Sequence, residues 1–189
     1  MIMCLYKKVA VTAAKLSEYP LTEQIKRMAK YDKPDILILR EKELTGTEYE
    51  NLAKKVLLVC KEEGIECVLH SFFEVAENLQ VKKIHLPLQA LKQNFQSLDW
   101  YDTIGASIHS IEEAIEAYRL GATYVTAGHI FETDCKRGLP GRGLEFLKEV
   151  CESVPIPVYG IGGITEENTH MVRSAGAAGE CRMSYYMKL

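Results

Sequence analysis

The chain has 189 residues, an apolar fraction of 47%, a charged fraction of 26% and a formal net charge of -3. These values are those of an ordinary globular protein, and they predict one domain over residues 1–189 with enough mass for a sizeable core. The small net charge excludes a general attraction to nucleic acid or to an anionic membrane, so we expect neither partner and expect any anionic ligand to be held by a local site.

The sequence also predicts where the protein resides. No apolar stretch approaches the roughly 18 residues that a membrane span requires. The first residues lack the order of cations and apolar residues of a signal peptide. The six cysteines are scattered, with no CxxC pair, as is typical of free thiols. We therefore expect a cytoplasmic protein in a reducing compartment.

Short apolar runs alternate with longer amphipathic ones. The apolar runs predict eight strands, at 7–13, 35–40, 66–70, 82–86, 102–109, 123–128, 156–163 and 179–184. Helical spacing predicts helices at 21–31, 47–64, 88–95, 110–121, 143–154 and 165–177, and a short one that ends at Leu79. This order predicts a compact (β/α)8 TIM barrel, with a doubly wound open sheet as the alternative. Only residues 185–189 follow the last strand, so we expect the last helix to be short or missing.

Polar residues gather at the predicted strand ends, where barrels of this kind carry their active sites. The residues are Arg40 and Lys42 after the second strand, His70 and Ser71 after the third, His85 in the fourth, Ser107 and His109 in the fifth and His129 after the sixth. His85 and His109 are interpreted as weaker candidates because they have apolar or capping contexts.

The Gly-rich stretch from Gly128 to Gly143 is the richest of these ends. The ordinary pKa of a histidine, about 6.5, suits His129 for taking and giving a proton, although a hydrogen-bonded cap is the alternative. Lys136 and Arg137 have the charge to hold a carboxylate or phosphate, or they are solvated cations of an exposed loop. Cys135 is interpreted as a bystander because the sequence places no base for it.

Two neighbouring strand ends predict a phosphate site. Gly162 and Gly163 follow the seventh strand, and Met183 and Ser184 follow the eighth. Glycines let backbone N–H groups approach an anion, and the loops after strands seven and eight are the usual phosphate site of this fold. The alternative is a pair of tight turns without a ligand.

Three stretches strongly resemble the thiamine-phosphate synthase and TenI superfamily. They are "GHIFETDCKRGLPGRGLEFL", "IPVYGIGGI" and "SAGAAGECRMS", and "LREK" and "IGASIHSIEEA" extend the match toward the N-terminus. The resemblance implies one of two activities. The synthase joins hydroxymethylpyrimidine diphosphate to thiazole phosphate, releases pyrophosphate and needs Mg²⁺. The TenI branch is a thiazole tautomerase, an isomerase that moves a proton on a carboxythiazole phosphate.

The resemblance also locates the residues that discriminate between these activities. The synthase pattern carries an Asn-Asp pair and a further Asp, where this sequence has His70 and Ser71, and Ala90. Oxygen ligands are what hold a diphosphate–magnesium complex. Because these carboxylates are absent, we expect a thiazole tautomerase without metal or cofactor. The alternatives are a synthase that uses Mg²⁺ and a non-catalytic binder of thiazole phosphate.

Roles follow from matched positions. The tautomerase reading implies His129 as the catalytic acid–base, substrate-binding roles for Arg40, Lys42, Ser107, Thr133 and Lys136, and phosphate-binding roles for Gly162, Gly163, Met183 and Ser184. Glu180 and Arg182 stand where the family has small apolar residues, so these charges must pair, face the mouth or disturb the packing. A shortened last helix is compatible with a homodimer.

Overall fold

The protein is a closed (β/α)8 barrel, as the sequence predicts. The computed structural model describes residues 6–133, 136 and 138–189. Eight parallel strands follow one another around the barrel in chain order, and β1 pairs with β8 to close it. The strands are β1 (Lys7–Val11), β2 (Ile36–Leu39), β3 (Glu66–His70), β4 (Lys83–Pro87), β5 (Thr103–Ile108), β6 (Tyr124–Gly128), β7 (Val158–Ile161) and β8 (Gly179–Arg182).

Eight helices connect and cover these strands in the described part of the chain. They are α1 (Leu21–Tyr31), α2 (Gly46–Glu63), α3 (Phe73–Asn78), α4 (Leu88–Asn94), α5 (Ile111–Arg119), α6 (Gly143–Ser153), α7 (Thr169–Ser174) and α8 (Ser184–Met187). Helix α2 has a defined signal at each end. Thr45 and Glu48 form a reciprocal capping box at its start, and Gly64 ends it in the left-handed conformation.

Alternation along the strands divides the core into two layers. The barrel interior is filled by Val9, Val11, Ile36, Ile38, Val68, Tyr124, Tyr159 and Cys181. Residues of opposite parity, such as Leu37 and Leu69, belong to the outer layer that also contains the buried faces of the helices. Because both faces of the sheet are covered, a strand such as β2 is apolar and buried along its whole length.

The last helix is short, as predicted. Helix α8 has only four residues and is anchored on α1. The Gln24 side chain donates to the carbonyl oxygen of Tyr186 at 2.6 Å, and Arg27 Nε donates to that of Leu189 at 3.1 Å. In the described residues no helix is long and apolar enough to cross a bilayer.

Helix α7 begins later than the predicted residue 165. Asn168 explains the difference, because its Oδ1 accepts a bond from the Thr165 N–H and its Nδ2 donates to the Gly163 carbonyl oxygen, each at 2.9 Å. These side-chain bonds hold residues 163–168 in a turn, and the regular helix starts only at Thr169.

Candidate functional site

The predicted site residues lie on one rim of the barrel. Because all eight strands are parallel, their carboxyl ends meet at the same mouth. The mouth collects Arg40 and Lys42 after β2, Ser107 near the end of β5, His129 after β6, Gly162 and Gly163 after β7, and Met183 and Ser184 after β8.

A pair of buried histidines lies at the end of β3 and in β4. The strand register sets His70 beside His85, and their rings stack with centroids 5.7 Å apart. Burial, and then the charges of Arg40 and Lys42, lower the pKa of His70 to about 3. Burial also holds the pKa of His85 well below its usual range. Both imidazoles are therefore neutral near pH 7 and serve as hydrogen-bonding groups without charge.

Hydrogen bonds extend this pair toward the mouth. His85 Nδ1 lies 2.9 Å from Tyr124 Oη, and His85 Nε2 lies 2.8 Å from Ser107 Oγ. Thr126 Oγ1 in turn donates to Ser107 Oγ at 3.3 Å. Gly105 makes room for this arrangement, since a Cβ there would overlap both Tyr124 and His85. The chain of contacts fixes the orientation of Ser107, a predicted substrate-binding residue.

The end of β3 is fixed in the same way. The His70 N–H donates to Tyr49 Oη at 2.9 Å, and that hydroxyl donates to the Leu39 carbonyl oxygen at 2.6 Å. His70 Nδ1 lies 2.8 Å from the hydroxyl of Ser71. The third strand thus ends in an imidazole and a hydroxyl that are both uncharged and held in place.

Two cations without ion-pair partners in the described chain lie beside these neutral groups. Arg40 is half-buried and Lys42 is exposed. Burial, and then the charge of Arg40, lowers the pKa of Lys42. Glu41, the acid between them, forms an ion pair with neither. Its two carboxylate oxygens accept from the Ala14 N–H at 3.0 and 3.1 Å. Two like charges that disfavour one another make a site for an anion.

The loop after β6 is folded back onto the turn after β7. The N–H groups of Ile130 and Phe131 donate to the carbonyl oxygens of Ile161 and Gly162 at 2.9 and 3.0 Å. His129 is only 8% exposed, and its Nε2 lies 3.2 Å from the Leu139 carbonyl oxygen. A carbonyl oxygen can only accept, so Nε2 is the donor in that contact, and Nδ1 is buried without a partner in the described residues. The ring thus binds its own loop, and its assignment as catalytic stays a prediction.

The other predicted residues of this loop are partly described. Thr133 is half-buried and Lys136 is exposed, and the Lys136 N–H donates to the Thr133 carbonyl oxygen at 3.0 Å. Cys135 and Arg137 lie outside the described residues. The substrate-binding roles of Thr133 and Lys136 stay predictions.

The predicted phosphate turn has a left-handed backbone conformation at both of its glycines. Gly162 and Gly163 have φ values of 101° and 66°, which disfavour any side chain. A Cβ on Gly162 would also overlap the Cβ of His129. The neighbouring Met183 is half-buried and Ser184 begins α8. Helices α7 and α8 have only six and four residues, so any phosphate held here depends mainly on backbone N–H groups and little on a helix dipole.

Glu180 and Arg182 take no part in this mouth. The residue between them, Cys181, belongs to the barrel interior, so alternation turns both charges to the outer face of β8. There they form a buried ion pair, with Arg182 Nη2 2.5 Å from Glu180 Oε1. The other carboxylate oxygen of Glu180 accepts from the hydroxyls of Tyr6, at 3.0 Å, and Thr169. Of the three outcomes expected from sequence, pairing is the one observed.

The residues at the mouth do not fit a divalent metal ion. In the described part of the chain no three His, Cys, Asp or Glu side chains converge in a way that could hold one. His70 and Ser71 offer an imidazole that already shares its Nδ1 with a hydroxyl, whereas Mg²⁺ prefers carboxylate and other oxygen ligands.

A cleft of about 450 Å³ opens outside the rim, between the start of α2 and the loop after β3. Its lining includes Ser71 but also Glu74 and Glu77. These carboxylates make it a poor site for a phosphorylated ligand, which favours the barrel mouth instead.

Sequence reasoning misses the polar interior beneath the mouth. It assigns His85 to an apolar context and singles out neither Tyr124 nor Thr126. Alternation in β6 puts Tyr124 and Thr126 on the same face, and that signal is available in the sequence. The pairing of His70 with His85 depends on the register between β3 and β4, which the sequence does not state.

The comparisons with known proteins agree with one another. The family model described as thiamine monophosphate synthase matches residues 8–185. The chain is 35% identical to the thiamine-phosphate synthase of Clostridium acetobutylicum over 92% of this chain and 83% of that protein. It is 34% identical to the putative thiamine-phosphate synthase 2 of Aquifex aeolicus over 79% of this chain and 81% of that one. The solved thiamine phosphate pyrophosphorylase of Pyrococcus furiosus superposes with a TM-score of 0.80 at 29% identity, covering 96% of this chain and 87% of that structure.

These relatives overturn the functional prediction. The expectation of a thiazole tautomerase, and hence of an isomerase, is wrong, because the three relatives bear the names of synthases and of a pyrophosphorylase. The synthase alternative, a transferase, is better supported. The loop motif around His129 identifies the superfamily correctly but does not discriminate between its branches.

Proposed function

Because the chain belongs to the thiamine monophosphate synthase family, we propose that it is a thiamine-phosphate synthase. Its substrates are hydroxymethylpyrimidine diphosphate and thiazole phosphate, and it releases pyrophosphate. The observation that carries the proposal is the 35% identity to a thiamine-phosphate synthase over 92% of the chain. The mouth supports it, since two groups suited to anions lie on one rim, one after β2 and one after β7 and β8.

The diphosphate is assigned to Arg40 and Lys42. An arginine guanidinium binds phosphate oxygens in a bidentate manner, and a lysine ammonium adds a mobile point charge. Neither side chain has an ion-pair partner in the described residues. Burial, and then the charge of Arg40, lowers the pKa of Lys42, and a bound anion would offset both effects. After burial, both charges also lower the pKa of His70, which supports a shared site at the ends of β2 and β3.

The thiazole phosphate is assigned to the turn of Gly162 and Gly163, together with Met183 and Ser184. The turn lacks side chains that would keep an anion away from the backbone. The loop that starts at His129 covers one side of it through the bonds from Ile130 and Phe131. In this proposal His129 positions the loop through the Leu139 carbonyl, and Thr133 and Lys136 contribute to the entrance.

The reaction then follows from the two sites. The methylene carbon of the pyrimidine loses its bond to the diphosphate oxygen and gains a bond to the thiazole, and pyrophosphate leaves. Negative charge builds up on the departing oxygen, and Arg40 and Lys42 stabilise it there. Ser107 is held by His85 and Thr126 on β5, which stands between β2 and β7 in the barrel order, and it is assigned to orienting the reacting rings.

The test incubates the full chain with both substrates and measures thiamine phosphate and pyrophosphate. We expect the two products in equal amounts, and none when either substrate is omitted. Arg40→Met should lower kcat by about 10²-fold or more, because it removes a donor at the leaving group. Arg119→Met, an exposed arginine in the last turn of α5, is the matched control and should keep the wild-type rate. Failure of the wild-type chain to form thiamine phosphate with both substrates present, with or without Mg²⁺, would refute the proposal.

One observation favours a second candidate, a binder of thiazole phosphate that has no turnover. Within the described residues the mouth has lost the carboxylates that the family pattern carries, while the glycine turn is retained. Calorimetric titration with thiazole phosphate, in parallel with the product assay, separates the two. Binding without product would support the second candidate. A homodimer, predicted from the short last helix, also stays a prediction that sedimentation can test.

A further inference from the structure

The ends of β2 and β3 carry cations and neutral side chains that suit an anion without a bound metal ion. Resting on the proposed function, we propose that the site at the end of β2 and β3 binds the diphosphate group as a free anion, without a bridging divalent cation. The metal requirement that the family resemblance implies disagrees with the residues that this chain places there.

The groups that face the anion from β3 are neutral. His70 shares its Nδ1 with the Ser71 hydroxyl at 2.8 Å and is held from behind by Tyr49. The side chain is 4% exposed, and burial beside two cations keeps the imidazole uncharged. Neutral donors and acceptors neither attract Mg²⁺ strongly nor repel a diphosphate.

The carboxylates on the neighbouring segments have other contacts, and Glu74 and Glu77 line the cleft outside the rim. Glu41 caps the Ala14 N–H with both oxygens. Glu113 accepts from the His109 N–H at 2.5 Å. Glu43 lies on the same loop as Lys42, but its charge affects Lys42 less than Arg40 does. After burial, the charges that lower the pKa of His70 are those of Arg40 and Lys42, so the field at the end of β3 is positive.

This arrangement changes what a divalent cation does. In a carboxylate-lined site the ligand and the protein repel each other, and a metal ion must bridge them. Here the protein supplies the positive charge itself, through Arg40 and Lys42. Mg²⁺ in solution still binds the diphosphate and cancels two of its charges, so it competes with the two side chains. Magnesium should weaken binding at this site.

The experiment is calorimetric titration of the full chain with inorganic pyrophosphate, in EDTA and in excess Mg²⁺. We expect binding in EDTA, and affinity lower by about tenfold in Mg²⁺, the change that a difference of 1.4 kcal/mol produces. Pyrophosphate that binds only with Mg²⁺ would overturn the inference, and so would pyrophosphate that binds under neither condition.

Variants identify the groups involved. Lys42→Met should lower the affinity for pyrophosphate in EDTA, whereas Lys61→Met, an exposed lysine in the last turn of α2, should not. Ser71→Asp returns one carboxylate to the mouth, at a φ of 66° that aspartate tolerates better than most residues. In this variant the effect of Mg²⁺ should reverse, from weakening to strengthening.

The two proposals fail separately. Metal-free binding of pyrophosphate without formation of thiamine phosphate would leave the inference standing and refute the synthase. Formation of thiamine phosphate together with strictly Mg²⁺-dependent binding of pyrophosphate would support the synthase and overturn the inference.

Discussion

The buried imidazole of His70 should make the fold sensitive to acid in a measurable way. Its pKa is about 3 in the folded protein, against about 6.5 for an ordinary histidine. Between pH 6.5 and pH 3, His70 is therefore protonated in the unfolded chain but not in the folded protein. The contribution of neutral His70 to the free energy of unfolding is fully present above pH 6.5 and is lost as the pH falls from 6.5 toward 3.

The magnitude follows from the two pKa values. At pH 5 the unfolded chain carries a proton on His70 and the folded chain does not, and each pH unit below 6.5 costs about 1.4 kcal/mol. His70 alone should then lower the free energy of unfolding by about 2 kcal/mol between pH 7 and pH 5. The pKa of His85 is also depressed, so its contribution has the same sign.

Urea denaturation at pH 7 and pH 5 measures this loss. His70→Asn keeps a polar atom near the Ser71 hydroxyl but cannot titrate in this range, so its loss between the two pH values should be smaller than that of the wild type by about 2 kcal/mol. His170→Asn, an exposed histidine on α7, should behave as the wild type does. Equal losses in the wild type and His70→Asn would refute the reasoning.

Two further predictions concern the rest of the barrel. Arg182→Met leaves the Glu180 carboxylate buried without its partner and should cost about 3–5 kcal/mol in urea denaturation, while Met at both positions should cost far less. A single variant as stable as the wild type would contradict this. Gly162→Ala adds strain of about 1–3 kcal/mol at a φ of 101° and a clash with His129, and should weaken binding of thiazole phosphate. Gly46→Ala, where the added Cβ meets open space, should bind as the wild type does, and equal affinity of both variants would count against the phosphate turn.

Much of the fold can be predicted because its rules are local. Strands that are covered on both faces have continuous apolar runs, and the prediction for β3 matches its observed bounds. The cap at Ser110 fixes the start of α5 to within a residue. For α2 the sequence favours Thr47 as the cap, whereas the structure uses Thr45, two residues earlier. The predicted start of α7 is wrong because the Asn168 side chain competes with the helix for backbone groups, and only the structure shows which partner it takes.

The site is less predictable because it depends on contacts between distant segments. The rim positions of Arg40, Ser107 and Gly162 follow from the barrel rule alone. The orientation of His129 does not, since its ring binds the Leu139 carbonyl oxygen, ten residues further along the loop. A strand-end histidine has the same appearance in the sequence whether it faces a substrate or its own backbone.

Neutral residues stand at the mouth where the family pattern has carboxylates, and this difference explains why the sequence suggests a tautomerase. The missing carboxylates point away from a diphosphate only if that group must arrive with its metal ion. A diphosphate, however, needs positive charge, and it needs a metal ion only when the protein side is negative. Arg40 and Lys42 keep that positive charge, and the neutral pair of His70 and Ser71 removes the negative charge that would oppose it. On the proposal made above, the acids can be absent while the reaction is kept, and the sign of the Mg²⁺ effect on pyrophosphate binding tests this.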